Sequence, residues 1–187
     1  MNPAAQLRLL DPDDVADAFS LLSDWEVVRY MLFPLCSLEA TEKFVREAIA
    51  PPSPGPWRSI VRAIMCSPSR ILVGLCGIGI PQDSEQGELW YLLGPQFWGK
   101  GLATGAVEQL LDLGFGELGL HRLWACCLPE NPASARVLEK AGLRREGHRK
   151  RDLKIHGDWK DSFLYAILAE EWSERRRNQR DPASSTL

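Results

Sequence analysis

Glu88-Leu89-Trp90-Tyr91-Leu92-Leu93-Gly94-Pro95-Gln96-Phe97-Trp98-Gly99-Lys100-Gly101-Leu102-Ala103-Thr104 is the stretch on which the fold turns. Its first half reads as a strand over about 87–93, its last residues open a helix, and glycines stand at 99 and 101 between them. Such a loop can aim several backbone N–H groups at one point, and the helix start adds unpaired donors and the positive end of its dipole. Together these make a cradle for a pyrophosphate, with glycine where a Cβ would block close approach of the backbone. The spacing is not GxGxxG, which disfavours a Rossmann site, nor GxxxxGK[ST], which disfavours a P-loop. A plain tight turn between strand and helix fits the same residues.

Downstream, Leu102, Ala103, Ala106, Val107, Leu110, Leu111 and Leu118 recur at helical spacing and predict a helix over about 101–118. Arg122 to Leu128 reads as a strand. Asn131-Pro132 then opens a helix that stops at Gly142, with Asn as N-cap, Pro at the first helical position, Lys140 in the last turn and Gly just beyond. Strands follow at about 143–149 and 159–168, then a short helix from Ala169. Upstream, Leu7 to Leu10 reads as a strand and Asp11-Pro12-Asp13-Asp14 as a helix start, with Val15, Phe19 and Leu22 on one side. A helix is expected over Leu38 to Ile49, a loop at Pro51 to Pro56, and strands at about 57–66 and 70–80 broken by Pro68-Ser69. This mixture of elements indicates an α/β layer structure around one mixed sheet. The expected organisation is one domain over residues 1–178, with a polar, disordered tail over 179–187.

The 187 residues, 45% of them apolar, suffice for a sizeable core. A net charge of -3 leaves no global basic field, so nucleic acid is not expected as a partner. The five cysteines, Cys36, Cys66, Cys76, Cys126 and Cys127, show no CxxC spacing. They indicate neither a metal site nor a disulfide framework, and point to a reducing, cytoplasmic setting. Adjacent Cys126 and Cys127 should face opposite sides of a strand. His121, His148 and His156 have no ligand spacing. No signal peptide is read at the N-terminus, and no stretch reaches the roughly 18 apolar residues of a membrane helix.

Gln96-x-x-Gly99-x-Gly101 resembles the acetyl-CoA loop of the GNAT superfamily of N-acetyltransferases. The run Trp98 to Thr104 is similar to the subgroup of ribosomal-protein N-terminal acetyltransferases of the Rim type. Further likeness lies in His121-Arg122-Leu123, in Pro129 to Leu143, and in Gly157 to Tyr165, so the resemblance spans roughly Leu7 to Trp172. It implies the GNAT fold, an α/β (α+β) architecture with one mixed, mostly antiparallel sheet of about seven strands flanked by helices. Acetyl-CoA is then the acyl donor and an amine the acceptor, with no metal. The acceptor would be a protein N-terminus or a small-molecule amine; a non-catalytic acetyl-CoA-binding regulator on the same fold is the other reading. A homodimer is allowed but not fixed.

The resemblance also assigns roles. Gln96, Phe97, Trp98, Gly99, Lys100 and Gly101, with Ala103 and Thr104 at the helix start, would hold the pyrophosphate; Leu92 and Leu93 would line the pantetheine arm. The Leu93 amide would face the thioester carbonyl, and Asn131 would contact the cofactor as well as cap its helix. An ammonium has no free lone pair, so a base must take a proton from the acceptor before it attacks. Glu88 is the candidate, and alternation places Glu88, Trp90 and Leu92 on one face. Many relatives use a Tyr as proton donor where this chain has Leu138; Ser134 is the candidate in its place. Gly105 stands where relatives often carry a Glu. Trp90, Asp161 and Tyr165 are candidates for the acceptor site, and each is equally read as packing or an ordinary strand residue.

Overall fold

Helices cover both faces of the sheet, so residues 72–78 of a central strand are buried without a break, whereas 122–127 alternate in burial. The computed structural model describes residues 4–33, 36–51, 55–67 and 71–180. Seven strands are β1 (Ala4–Arg8), β2 (Trp57–Ser67), β3 (Ile71–Pro81), β4 (Gln86–Leu93), β5 (Arg122–Cys127), β6 (Arg144–Ile155) and β7 (Asp158–Leu168). They form one mixed sheet in the order β1-β2-β3-β4-β5-β7-β6, with every neighbouring pair antiparallel except β4–β5. Each face carries its own core. On one side α1 (Val15–Leu22), α2 (Trp25–Val28) and α3 (Leu38–Ile49) cover Val61, Ala63, Leu75 and Leu92. On the other, α4 (Leu102–Asp112), α5 (Pro132–Ala141) and α6 (Ala169–Arg180) cover Ile78, Leu89, Leu93, Leu123, Ala125 and Tyr165. Among the described residues no helix is long and apolar enough to cross a membrane.

Local differences from the sequence reading have physical causes. The first strand ends at Arg8 rather than Leu10, because Asp11 starts a capping box with Asp14 and the Arg8 guanidinium closes onto Asp14 at 2.6 Å. The first helical turn, Pro12–Asp14, is 3-10, and the short α2, capped by Asp24, was not expected. The helix expected to reach Leu118 is α-helical only to Asp112; a π turn, Leu113–Glu117, follows. There a Cβ on Gly114 would stand 2.6 Å from Leu123, so the turn packs directly on β5. β6 runs to Ile155 instead of about 149. The charged run from Arg149 to Asp152 interrupts the apolar pattern on this edge strand and leaves only Leu153 and Ile155 beyond it. The hairpin to β7 closes on His156 (φ 48) and Gly157 (φ 94), both in the left-handed region that a tight hairpin turn requires. Parts of three expected features, the Pro51–Pro56 loop (52–54), the Pro68-Ser69 break (68–70) and the C-terminal tail (181–187), lie outside the described residues.

Candidate active site

The sheet forks at Glu88. β4 and β5 pair only through Gln86↔Arg122, Gly87↔Leu123 and Glu88↔Trp124. Beyond that point β4 continues to Leu93 along β3 alone, and β5 continues along β7. Gly94 N–H bonds Val73 C=O on β3 at 2.9 Å, and the Trp98 indole donates to Leu93 C=O at 2.8 Å. In an extended residue N–H and C=O face the same side, so the Leu93 peptide faces the gap between β4 and β5.

The gap leads to the glycine loop. Gly99 (φ 72) and Gly101 (φ 80) are both left-handed, and a Cβ on either would meet no atom within 4 Å. Gly101 is the N-cap of α4, and among the described residues no side chain caps that end. The first bond of the helix is Gly105 N–H to Gly101 C=O at 3.1 Å, so the amides of Leu102, Ala103 and Thr104 lie ahead of the ladder. Lys100 Nζ folds back onto Gln96 C=O at 2.7 Å and over the Phe97 ring, which braces the loop from the side. Unpaired donors, a dipole end and open space thus converge where an anion would sit.

Across the gap, α5 presents its own start. Asn131 Oδ1 accepts the Ser134 amide at 3.2 Å, which is the N-cap bond expected of it. The Ser134 hydroxyl lies 2.8 Å from the Tyr91 hydroxyl of β4. Leu138, one turn further, is fully buried in the core. Gly142 ends the helix at φ 104.

The opposite face of the fork carries the charge. Glu88, half-buried, shares that face with Trp90, Leu92, Trp124 and Cys126, and, through the β5–β7–β6 register, with Ser162 and Arg149. Burial raises the Glu88 pKa from its ordinary value; the Arg149 cation opposes this and the Asp152 charge adds to it. Arg149 lies over the Trp124 ring at 6.0 Å and 3.4 Å from Asp152, which also accepts the Ser162 hydroxyl at 2.6 Å. α2 and the hairpin turn close over this face: the Trp25 and His156 rings sit 4.7 Å apart, and His156 Nε2 is 3.4 Å from Val28 C=O.

Residues 5–144 match the family described as Acetyltransferase (GNAT) domain. The chain belongs to the GNAT family of N-acetyltransferases. A GNAT-family acetyltransferase from Bacillus anthracis superposes with a TM-score of 0.79 at 30% identity, covering 89% of this chain and 95% of that one. A spermidine N-acetyltransferase from Vibrio cholerae, solved with CoA and spermine, superposes at 0.77 and 23% identity over 90% and 98% of the two chains, which speaks to the fold alone. In sequence, the putative ribosomal N-acetyltransferase YdaF of Bacillus subtilis is 27% identical over 92% of this chain and 95% of its own length. The uncharacterized N-acetyltransferase YnaD of the same organism is 43% identical, but the match spans only 46% of this chain and 51% of that protein.

GNAT acetyltransferases use acetyl-CoA, and the residues of this GNAT domain fit it. A pyrophosphate would meet the amides at the start of α4 beside the open space at Gly99 and Gly101, and the arm would enter a gap lined by the Leu93 peptide. Of the sequence candidates, the loop residues, Leu93, Asn131 and Ser134 come together along this gap, with Glu88 at its root and Trp90 and Leu92 on the Glu88 face. Trp90 packs against Gly77, where a Cβ would stand 2.8 Å from its ring. Asp161 and Tyr165 are placed elsewhere. Both lie on the α5 side of β7: Tyr165 is buried and donates to Glu139 at 3.0 Å, and Asp161 ties His148, Lys150 and the Arg151 amide together across the β6 bulge. The sequence reading missed Tyr91, Arg149, Asp152 and Ser162. Only Tyr91 carried a local signal, through its place one residue from the Glu88 face.

Proposed function

We propose that this GNAT domain transfers an acetyl group from acetyl-CoA to a primary amine by direct attack, and that the amine is a protein N-terminus. Acetyl-CoA supplies the activated acyl group. Gly99 to Thr104 hold its pyrophosphate by backbone amides, and the Leu93 N–H faces the carbonyl that is attacked. Glu88 takes the proton from the acceptor ammonium and frees its lone pair. Ser134, at the start of α5, offers its hydroxyl to the sulfur.

The observation that carries this reading is the position of Glu88. It is the last paired residue before the fork and the only carboxylate on β4, with a pKa raised by burial. A base so perturbed lies nearer working pH than an ordinary carboxylate and is a stronger proton acceptor once ionised. Direct attack is supported by Cys126, the thiol on the same face. Burial pushes its pKa up, opposed by Arg149 and reinforced by the Glu88 charge, so it stays a thiol rather than a nucleophilic thiolate.

Arg149 supports the choice of acceptor. A polyamine brings further positive charges past Glu88, and Arg149 repels them; a protein N-terminus brings one ammonium followed by peptide carbonyls that Arg149 can bond. A cytoplasmic setting, read from the cysteine usage, belongs to the same proposal. The test is free-thiol release from acetyl-CoA against peptides with free N-termini, spermidine and single amino acids. Peptides should turn over fastest, and Glu88→Gln should lose that turnover. Preference for spermidine would overturn the acceptor; tight CoA binding with no turnover on any amine would make the domain a regulator.

A further inference from the structure

Tyr91 is a partly buried titratable group for which the reaction as described has no use. Its ring packs in the α4–α5 core, and its strand pairs Cys76↔Tyr91 with β3, so the phenol has a fixed origin. The hydroxyl reaches the first turn of α5, 2.8 Å from Ser134 Oγ and 3.1 Å from the Ser134 carbonyl oxygen. Ser134 is held twice more through its own amide, at 3.1 Å from Asn131 C=O and 3.2 Å from Asn131 Oδ1. Those bonds fix the backbone of Ser134 but leave its hydroxyl free to rotate; among the described residues only Tyr91 restrains it. Ser134 is also the one hydroxyl on α5, where Leu138 is fully buried.

We propose that Tyr91 is a positioning residue that turns the Ser134 hydroxyl toward the sulfur of the acyl donor. The inference rests on the reading of Ser134 given above. Two arrangements of the two protons fit the distances. In one, Tyr91 donates to the Ser134 carbonyl and accepts from the Ser134 hydroxyl, which points the serine proton away from the gap. In the other, Tyr91 donates to Ser134 Oγ and the serine proton is free to point outward. Negative charge growing on sulfur selects the second, and a hydroxyl that accepts one hydrogen bond donates the next more strongly. Burial pushes the Tyr91 phenol well above its ordinary pKa, so it keeps its proton throughout. No O–H bond breaks in either residue; only the acceptor of each changes.

The experiment reads the thiol of CoA bound to the folded protein, by ultraviolet absorbance of the thiolate across pH. Variants are Tyr91→Phe, which removes one oxygen and keeps the ring, Ser134→Ala, and the pair together; thermal melts check that each folds. Loss of one directed hydrogen bond should lower the thiolate-to-thiol ratio at fixed pH by about tenfold in either single variant. The double variant should fall no further, because both changes remove the same bond. If Tyr91→Phe titrates like wild type while Ser134→Ala does not, the Tyr91 role is overturned and Ser134 stands. If both singles titrate like wild type, Ser134 does not meet the sulfur and the inference falls with it. Additive losses would also overturn it, since the two hydroxyls would then act independently.

Discussion

Glu88 feels two neighbours of opposite sign, and that gives its titration a direction in each case. Burial raises its pKa first, Arg149 pulls it down and Asp152 pushes it up. The active form is the carboxylate, so kcat/KM should rise with pH through a limb displaced upward from that of an ordinary glutamate. Arg149→Met removes the favourable cation, and the limb should move to higher pH. Asp152→Asn removes the unfavourable anion, and the limb should move to lower pH. Glu88→Gln should lower kcat/KM by about 10²–10⁴-fold and abolish the limb. Profiles of kcat/KM against pH check all three; limbs that move together would show that Glu88 is not the group titrating. Glu88 was legible because alternation and the family pattern both pointed to it. Arg149 and Asp152 were not, because they reach Glu88 only through β5, β7 and β6 in register, across a bulge that no local pattern encodes.

At the scale of elements, the glycine loop and the β6 bulge answer to different forces. Gly99 and Gly101 adopt φ 72 and 80 beside open space, so a side chain there strains the backbone and fills the cradle without striking the core. Gly101→Val should lower stability by about 1–2 kcal/mol, with the fold intact, and abolish CoA binding by calorimetry. Retained affinity would move the pyrophosphate elsewhere. The bulge holds Arg151 at φ 46, and Asp161 accepts its amide at 3.0 Å. That bond, then Lys150 and His148, hold the Asp161 carboxyl far below the usual range. A depressed carboxylate stabilises the fold above its unfolded pKa, and the contribution fades as pH falls toward the folded one. Asp161→Ala should therefore lower Tm at neutral pH, by a margin that narrows as the solution is acidified. Melting curves across acid pH check this. A constant margin would assign Asp161 a packing role alone. The start of α4 and both ends of α5 were legible from Gly101, Asn131, Pro132 and Gly142, since caps are local chemistry. The extension of β6 was not, because the charged run from Arg149 to Asp152 separates Leu153 and Ile155 from the strand's first half.

The whole molecule is two half-sheets, β1–β4 and β5-β7-β6, joined at Gln86–Glu88 against Arg122–Trp124, by the helices of the α4 side, and on the other face by the contact of α2 with the hairpin turn at His156. The fold class was readable from the order of elements and from two motifs. The resemblance implied a splayed strand ending at Leu93, but the residue at which the sheet parts was not readable, since only the register of a parallel pair reveals where pairing stops. Its consequence is mechanical. A ligand lying along the gap from Leu93 to Ser134 touches both halves, so binding should tighten the seam as well as fill the site. Binding to the folded state alone stabilises by mass action, about 2.7 kcal/mol at a hundredfold excess over Kd, which for a chain of this size is about 5–10 °C in Tm. Hydrogen exchange should then slow at β4 and β5 amides flanking the fork, with the outer pair β1–β2 unchanged. Gly101→Val, which keeps both cores, should show neither the Tm rise nor the protection. If CoA raised Tm in wild type while protecting only the loop at 96–104, the ligand would be held by the cradle alone and the gap would remain open beneath it.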